Sequence, residues 1–261
     1  MRGSTRNDEL FPVALRNLEQ RGCNVVAVGP VRRRDFRRLT RRTMGDPGGN
    51  RSRVLLLPDG GDAPDRWLPG SLSPYSPACR VIQYAKGHRD SVAAQVSTDG
   101  IGPDLPGIVE DGTENSLWID DRYHGVYRVS DLDDGREAAI ESIDELSEAR
   151  PESDLRIAVG VLDDVLRNEG VREAQTLITE ISEAVERRGG VAFYYRSEGP
   201  DAESELPFDE LVDGIVQLRY GIDRGAVCLE QRWVLPRQGH VVPVEIVTPW
   251  TPVRDPYPAD D

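Results

Sequence analysis

Val25-Val26-Ala27-Val28-Gly29-Pro30-Val31-Arg32-Arg33-Arg34-Asp35-Phe36 is the stretch on which the reading of this chain turns. Four apolar residues in succession, with no polar alternation, mark a strand buried on both faces. Gly29-Pro30 breaks the run, and a helix is predicted from Arg33 to Met44, closed by Gly45 and Pro47. A buried strand that hands straight to a helix is the first half of a crossover unit, so the expected class is α/β with a parallel sheet.

The surrounding pattern agrees. Upstream, Glu9–Gln20 carries Leu10, Val13, Ala14 and Leu18 at helical spacing before Gly22. Downstream, Val54–Leu57 reads as a second buried strand. Order then weakens: prolines and glycines recur between Asp62 and Tyr123, with short strands suggested at Arg80–Tyr84, Ser91–Val96 and Leu117–Ile119. Residues 62–123 read either as a small β-rich insertion or as a long irregular excursion. The alternation resumes with a strand at Val126–Val129, a helix at Arg136–Ala149, a strand at Leu155–Leu162 and a helix at Val171–Arg188. That last helix sets Ala174, Leu177, Ile178, Ile181 and Val185 on one side and ends at Gly189-Gly190. A strand at Val191–Tyr195, a short helix at Phe208–Val212, and strands at Ile215–Leu218, Ala226–Val234 and Val241–Val247 complete the series. The expectation is a mostly parallel sheet with helices on both faces and an antiparallel C-terminal edge. It forms one domain over residues 1–250, with 251–261 as a flexible tail.

Composition narrows the setting. Among 261 residues there are 46 acidic and 32 basic ones, a formal charge of −14, and Lys86 is the one lysine. Carboxylates hold water and counter-ions, and their mutual repulsion fades in brine, where the Debye length is about 3 Å at 1 M. The expectation is a protein of a salt-adapted cytosol, with the net charge serving solubility. Cys23, Cys79 and Cys228 are far apart and lack a C-x-x-C pair, and His88, His124 and His240 are scattered, so neither a disulfide framework nor a metal site is expected. No apolar stretch approaches the ~18 residues of a membrane helix; a cytoplasmic location follows, with no membrane partner.

In an open α/β sheet, ligands bind beyond the carboxyl ends of the strands. The turn after Val28 is therefore where a phosphate loop, G-x-x-x-x-G-K-[ST], would lie. Gly29 fits its first glycine, and Pro30, Arg32 and Arg33 fall in the spacer. Arg34 stands at the second glycine, Asp35 at the lysine and Phe36 at the hydroxyl residue. Arg34 brings a bulky side chain to a backbone that must approach phosphate, Asp35 brings the wrong charge, and Phe36 offers no oxygen to magnesium.

With those residues in view, the chain resembles the RecA/KaiC-like ATPase superfamily, in a degenerate branch from salt-loving archaea. The likeness runs from the first helix through the Gly29 turn and resumes from Gly125 to about Val247. Its best part is Leu155-Arg156-Ile157-Ala158-Val159-Gly160-Val161-Leu162-Asp163-Asp164-Val165-Leu166, an apolar strand followed by an apolar-rich helix start. The resemblance implies a RecA-like sheet and puts Gly160 at the Walker B aspartate and Val161 at the following serine. A shifted register would offer Asp163 or Asp164 instead; the alternative for Asp163 is that it caps or begins a helical turn.

Arg34, Arg37, Arg38, Arg41 and Arg42 recur at the spacing of one helix face, with Phe36, Leu39, Thr40 and Thr43 opposite. They read either as a docking face for an acidic partner, a nucleotide's phosphates or nucleic acid, or as a face that pairs with the protein's own carboxylates. No aromatic platform interleaves with them, which counts against single-stranded nucleic acid. The function expected is a non-catalytic regulatory or protein-interaction module, with a protein or a second copy of the chain as partner and with no catalytic residue, cofactor or metal. The alternatives are a nucleotide-binding, weakly hydrolysing ATPase using Arg32–Arg34 and Asp163 or Asp164, and a nucleic-acid-associated protein using the arginine face.

Overall fold

The computed structural model describes residues 4–59, 63–85, 125–197, 209–223, 225–236 and 245–254. One sheet runs through them. Its strands are β1 (Cys23–Gly29), β2 (Arg51–Pro58), β3 (Cys79–Tyr84), β4 (Val126–Val129), β5 (Asp154–Val159), β6 (Val191–Ser197), β7 (Gly214–Asp223), β8 (Ala226–Pro236), β9 (Glu245–Val247) and β10 (Thr251–Pro252). The order is β10-β8-β7-β1-β6-β5-β2-β3-β4, with β9 also on β8. From β7 to β4 all neighbours are parallel; β8, β9 and β10 add the antiparallel edge.

The helices are α1 (Ser4–Arg21), α2 (Arg33–Met44), α3 (Leu132–Ala149), α4 (Leu162–Asn168) and α5 (Val171–Arg188). Because successive strand residues face opposite ways, each central strand feeds two cores. Val54 and Leu56 of β2 join Ile157, Tyr194 and the inward sides of α3, α4 and α5. Leu55 and Leu57 join Val25, Phe193 and the inward sides of α1 and α2 on the other face. This is why the strands read as unbroken apolar runs.

Helix ends follow local chemistry. α5 stops where Gly189 takes φ +69°, a left-handed conformation that glycine adopts without strain. At the other end of α2, buried Arg53 reaches from β2 and donates to the carbonyls of Met44 (3.0 Å), Asp46 (2.6 Å) and Arg51 (3.1 Å). A guanidinium fork thus satisfies the carbonyls that a finishing helix leaves orphaned.

Several expectations change. Arg80–Tyr84 is not insertion: β3 is a full member of the main sheet, paired with β2 and β4. The strand expected over Leu155–Leu162 ends at Val159, and Leu162 opens α4, a helix the pattern did not separate from the strand. The short helix expected over Phe208–Val212 is a single 3-10 turn at Asp209–Leu211. The tail is docked at its start, since Thr251 and Pro252 pair with β8 and Val253 is buried. The strands suggested at Ser91–Val96 and Leu117–Ile119, residues 241–244, and residues 255–261 of the tail lie outside the described residues. Among the described residues no helix is long and apolar enough to cross a membrane.

Candidate functional site

The chain leaves β1 toward α2 on one face. From neighbouring β6 it goes on to Leu211 and Val212, which pack on the other. Connections that part in this way leave a crevice at the strand ends, the topological switch point. Among the described residues, its lining is engaged by the protein's own groups.

Gly29, the last residue of β1, serves packing: a Cβ there would collide with the backbone of Leu218 in β7. Pro30 sits at the centre of a tight turn in which the Val31 N–H donates to the Gly29 carbonyl at 2.8 Å, and Val31 is buried. Arg32, Arg33 and Arg34 are exposed, while Phe36 is buried with its ring 5.6 Å from that of Tyr195. Asp35 lies in the first turn of α2 and is only 7% exposed. Its Oδ2 accepts the Arg32 N–H at 3.1 Å and the Tyr220 hydroxyl at 2.5 Å. The same hydroxyl oxygen lies 3.3 Å from the Arg32 nitrogen. Burial, and then the bond to Asp35, push the Tyr220 phenol above its ordinary 10, so it remains a donor. A helix N-terminus favours an anion, and here the anion is an internal carboxylate.

The Walker B register behaves likewise. Gly160 follows β5 and donates its N–H to the Leu56 carbonyl at 2.7 Å, and a Cβ there would come within 3.3 Å of the Leu57 side chain. Val161 is fully buried at the start of α4. Asp163, in the first turn of α4, accepts the Ser197 N–H at the end of β6 at 2.8 Å, and the Ser197 hydroxyl donates to the Val31 carbonyl at 3.2 Å. Burial raises the Asp163 carboxyl above its ordinary 3.8, opposed by the Ser197 N–H, Arg167 and Arg196. Asp164 pairs with Arg167 at 3.0 Å on the same helix. So the first-strand turn and Asp163 do meet, through Ser197, and Asp163 begins the helical turn of α4, as its alternative reading had it, without capping the helix.

Residues 22–218 match the model of a family of unknown function, DUF7504. The chain belongs to DUF7504. The DUF7504 span holds Asp35, Asp163 and Ser197, and Tyr220 lies two residues beyond it. No curated protein matches the chain.

Beside the arginine face of this DUF7504 chain lies a buried tryptophan. Trp67 ends a 3-10 turn at Pro64–Trp67 and is 1% exposed. The Arg33 guanidinium lies 5.8 Å from its ring centre and donates to the Pro58 carbonyl at 3.3 Å; Arg41 donates to the Arg66 carbonyl at 3.5 Å. Arg37, Arg38 and Arg41 are half-buried, while Arg34 and Arg42 are exposed. Helix α2 carries six arginines against Asp35, whereas α3, beneath the opposite face of the sheet, carries seven carboxylates against Arg136. Cys23 and Cys79 are free and buried, and burial pushes both thiols to about 12. Among the described residues no three of His, Cys, Asp and Glu gather to hold a metal ion.

Sequence reasoning missed Ser197 and Tyr220. The one signal for Tyr220 was parity: Val216, Leu218 and Tyr220 alternate along a single face, but the strand was expected to end at Leu218.

Proposed function

We propose that this chain is a regulatory or protein-interaction module of RecA/KaiC-like ancestry, working in a salt-rich cytosol, whose phosphate cradle is occupied by its own Asp35. The carrying observation is the buried Asp35 carboxylate at the start of α2, held by the Arg32 N–H and the Tyr220 hydroxyl. A triphosphate would have to displace this carboxylate from a site that already has a satisfied anion, and the incoming charge would repel it. The mostly parallel, helix-covered sheet with its antiparallel edge is compatible with the ancestry. The arginine face of α2, set in a protein of formal charge −14, is the surface that would engage an acidic partner.

The test is a thermal melt in molar KCl with and without magnesium and ATP. A ligand at a hundred times its Kd adds about 2.7 kcal/mol, which moves the midpoint of a chain of this size by about 5–10 °C. The proposal expects a shift below about 1 °C. It also expects that a partner cross-linked in native cells is lost when Arg37, Arg38, Arg41 and Arg42 become Gln. A nucleotide shift abolished by changing Asp163 and Asp164 to Asn would overturn it in favour of the weak ATPase. Duplex binding that falls with salt and vanishes in the four-Gln variant would favour nucleic acid.

A further inference from the structure

At the opposite, amino end of the sheet, α1 and α2 cover the same face but part from one another. A cavity of about 200 Å3 opens between them. Its floor is apolar, made by Val25 of β1 with Val191 and Phe193 of β6, and Leu15 of α1 and Trp233 of β8 close the sides. The remaining wall is polar, with Glu19 of α1 and Thr43 of α2 beside three arginines. Arg42 comes from the last turn of α2, Arg51 opens β2, and Arg156 lies in β5.

The charges there are unequal. Arg156 is 8% exposed and donates to Asp154 Oδ2 at 2.8 Å and, through both terminal nitrogens, to Glu19 Oε1 at 3.2 Å. Arg51 Nε donates to that same Asp154 oxygen at 3.0 Å. Two carboxylates therefore serve two guanidiniums, and both arginines are fixed by bonds on their inner sides. Arg42, exposed at the rim, forms no ion pair among the described residues. One net positive charge faces a cavity with an apolar floor, in a protein whose overall charge is strongly negative.

We propose that this cavity is a binding site for a small amphipathic monocarboxylate, an aromatic ring on a short acid chain. The carboxylate would pair with Arg42 in a bidentate fork, flanked by Arg51, and the ring would lie on Val25, Val191 and Phe193 beside Trp233. Size agrees: a cavity of about 150 Å3 accepts benzene, so 200 Å3 takes a ring and a carboxyl group. A dianion such as a phosphate ester fits less well, because only one charge is uncompensated. A neutral ligand would leave Arg42 without a partner.

The probe is 3-phenylpropionate, titrated calorimetrically into the full chain, with 3-phenylpropanamide as the uncharged control. The expected Kd is on the order of 0.1–1 mM, as suits a ligand of this size in a partly open site. The amide, and separately Arg42→Gln, should each weaken binding about tenfold. Leu15→Trp, which fills the cavity and leaves Arg42 in place, should abolish it. Urea melts of both variants establish that they remain folded. Equal affinity for acid and amide, unchanged affinity in folded Leu15→Trp, or no saturable binding by the wild-type chain would each overturn the proposal.

Discussion

Removing the Tyr220 hydroxyl tests whether Asp35 is held in place as an internal anion. In Tyr220→Phe the buried carboxylate keeps the Arg32 N–H and loses its other donor. A hydrogen bond to a charged group is worth about 1.5–3 kcal/mol. Tyr220 is 41% exposed, so water recovers part of the bond, and the expected cost is about 1–1.5 kcal/mol. Asp35→Asn preserves shape but removes the charge at the N-terminus of α2, at a cost of about 1–2 kcal/mol. The two residues share one bond, so the double variant should fall short of additivity by about 1 kcal/mol. Urea denaturation at fixed molar KCl measures all four states. Asp35→Gly supplies a second reading: with the internal anion gone, sulfate at constant ionic strength should stabilise this variant more than the wild type. A coupling within about 0.3 kcal/mol of zero, together with no differential sulfate effect, would refute the idea that Asp35 fills an anion site.

The other predictions concern the frame around that site. Arg53→Met should cost about 2 kcal/mol in urea melts, since the buried Met44 carbonyl loses its donor at about 1 kcal/mol and the part-buried carbonyls of Asp46 and Arg51 lose theirs at less; Arg53→Lys should recover little, because an ammonium lacks the planar fork. Gly29→Ala should cost at least 1–3 kcal/mol by the same measurement, because the Cβ meets the Leu218 backbone in a packed sheet. Asp163 gives a pH signature. Its carboxyl is raised by burial, so the folded state binds the proton more tightly than the unfolded one. The associated stability is complete below the ordinary 3.8 and is lost as pH rises through the raised value. Wild type should therefore lose stability relative to Asp163→Asn between about pH 4 and neutrality; an unchanged difference in urea melts at the two ends would contradict this.

How far the sequence could be read depended on whether the deciding signal was local. The bounds of α2 and α5 were legible because Gly45 and Gly189 stop them within one turn. The end of β5 was not, because Val161 and Leu162 at the start of α4 are as fully buried as the strand before them, and an unbroken apolar run does not separate strand from helix entry. The true place of β3 was hidden by the prolines before it, although Cys79, Val81 and Ile82 are completely buried. At the crevice, the Gly29 turn and Asp163 were visible as misfits to a phosphate loop. Their actual partners were not, since Ser197 lies 34 residues from Asp163 and Tyr220 lies 185 from Asp35. Contacts of that range leave no periodic trace.

The Asp35 arrangement also shows why no single substitution would make a phosphate loop of this turn. The N–H groups at the start of a helix need acceptors whatever the protein binds. Asp35 accepts one of them, the N–H of the N-cap Arg32, at the register position where a phosphate loop has its lysine. Asp35→Lys would therefore remove the anion and set a cation against the positive end of α2, beside Arg32, Arg33 and Arg34. The Tyr220 hydroxyl would lose its acceptor and the Arg32 N–H its bond. The turn itself would still bring buried Val31 and the Gly29 contact with Leu218 to the place where a phosphate requires open backbone. Carboxylate, phenol and tight turn support one another, so no one change would create a nucleotide site, and conversion requires Tyr220, Asp35 and the Gly29–Arg32 turn to be replaced together.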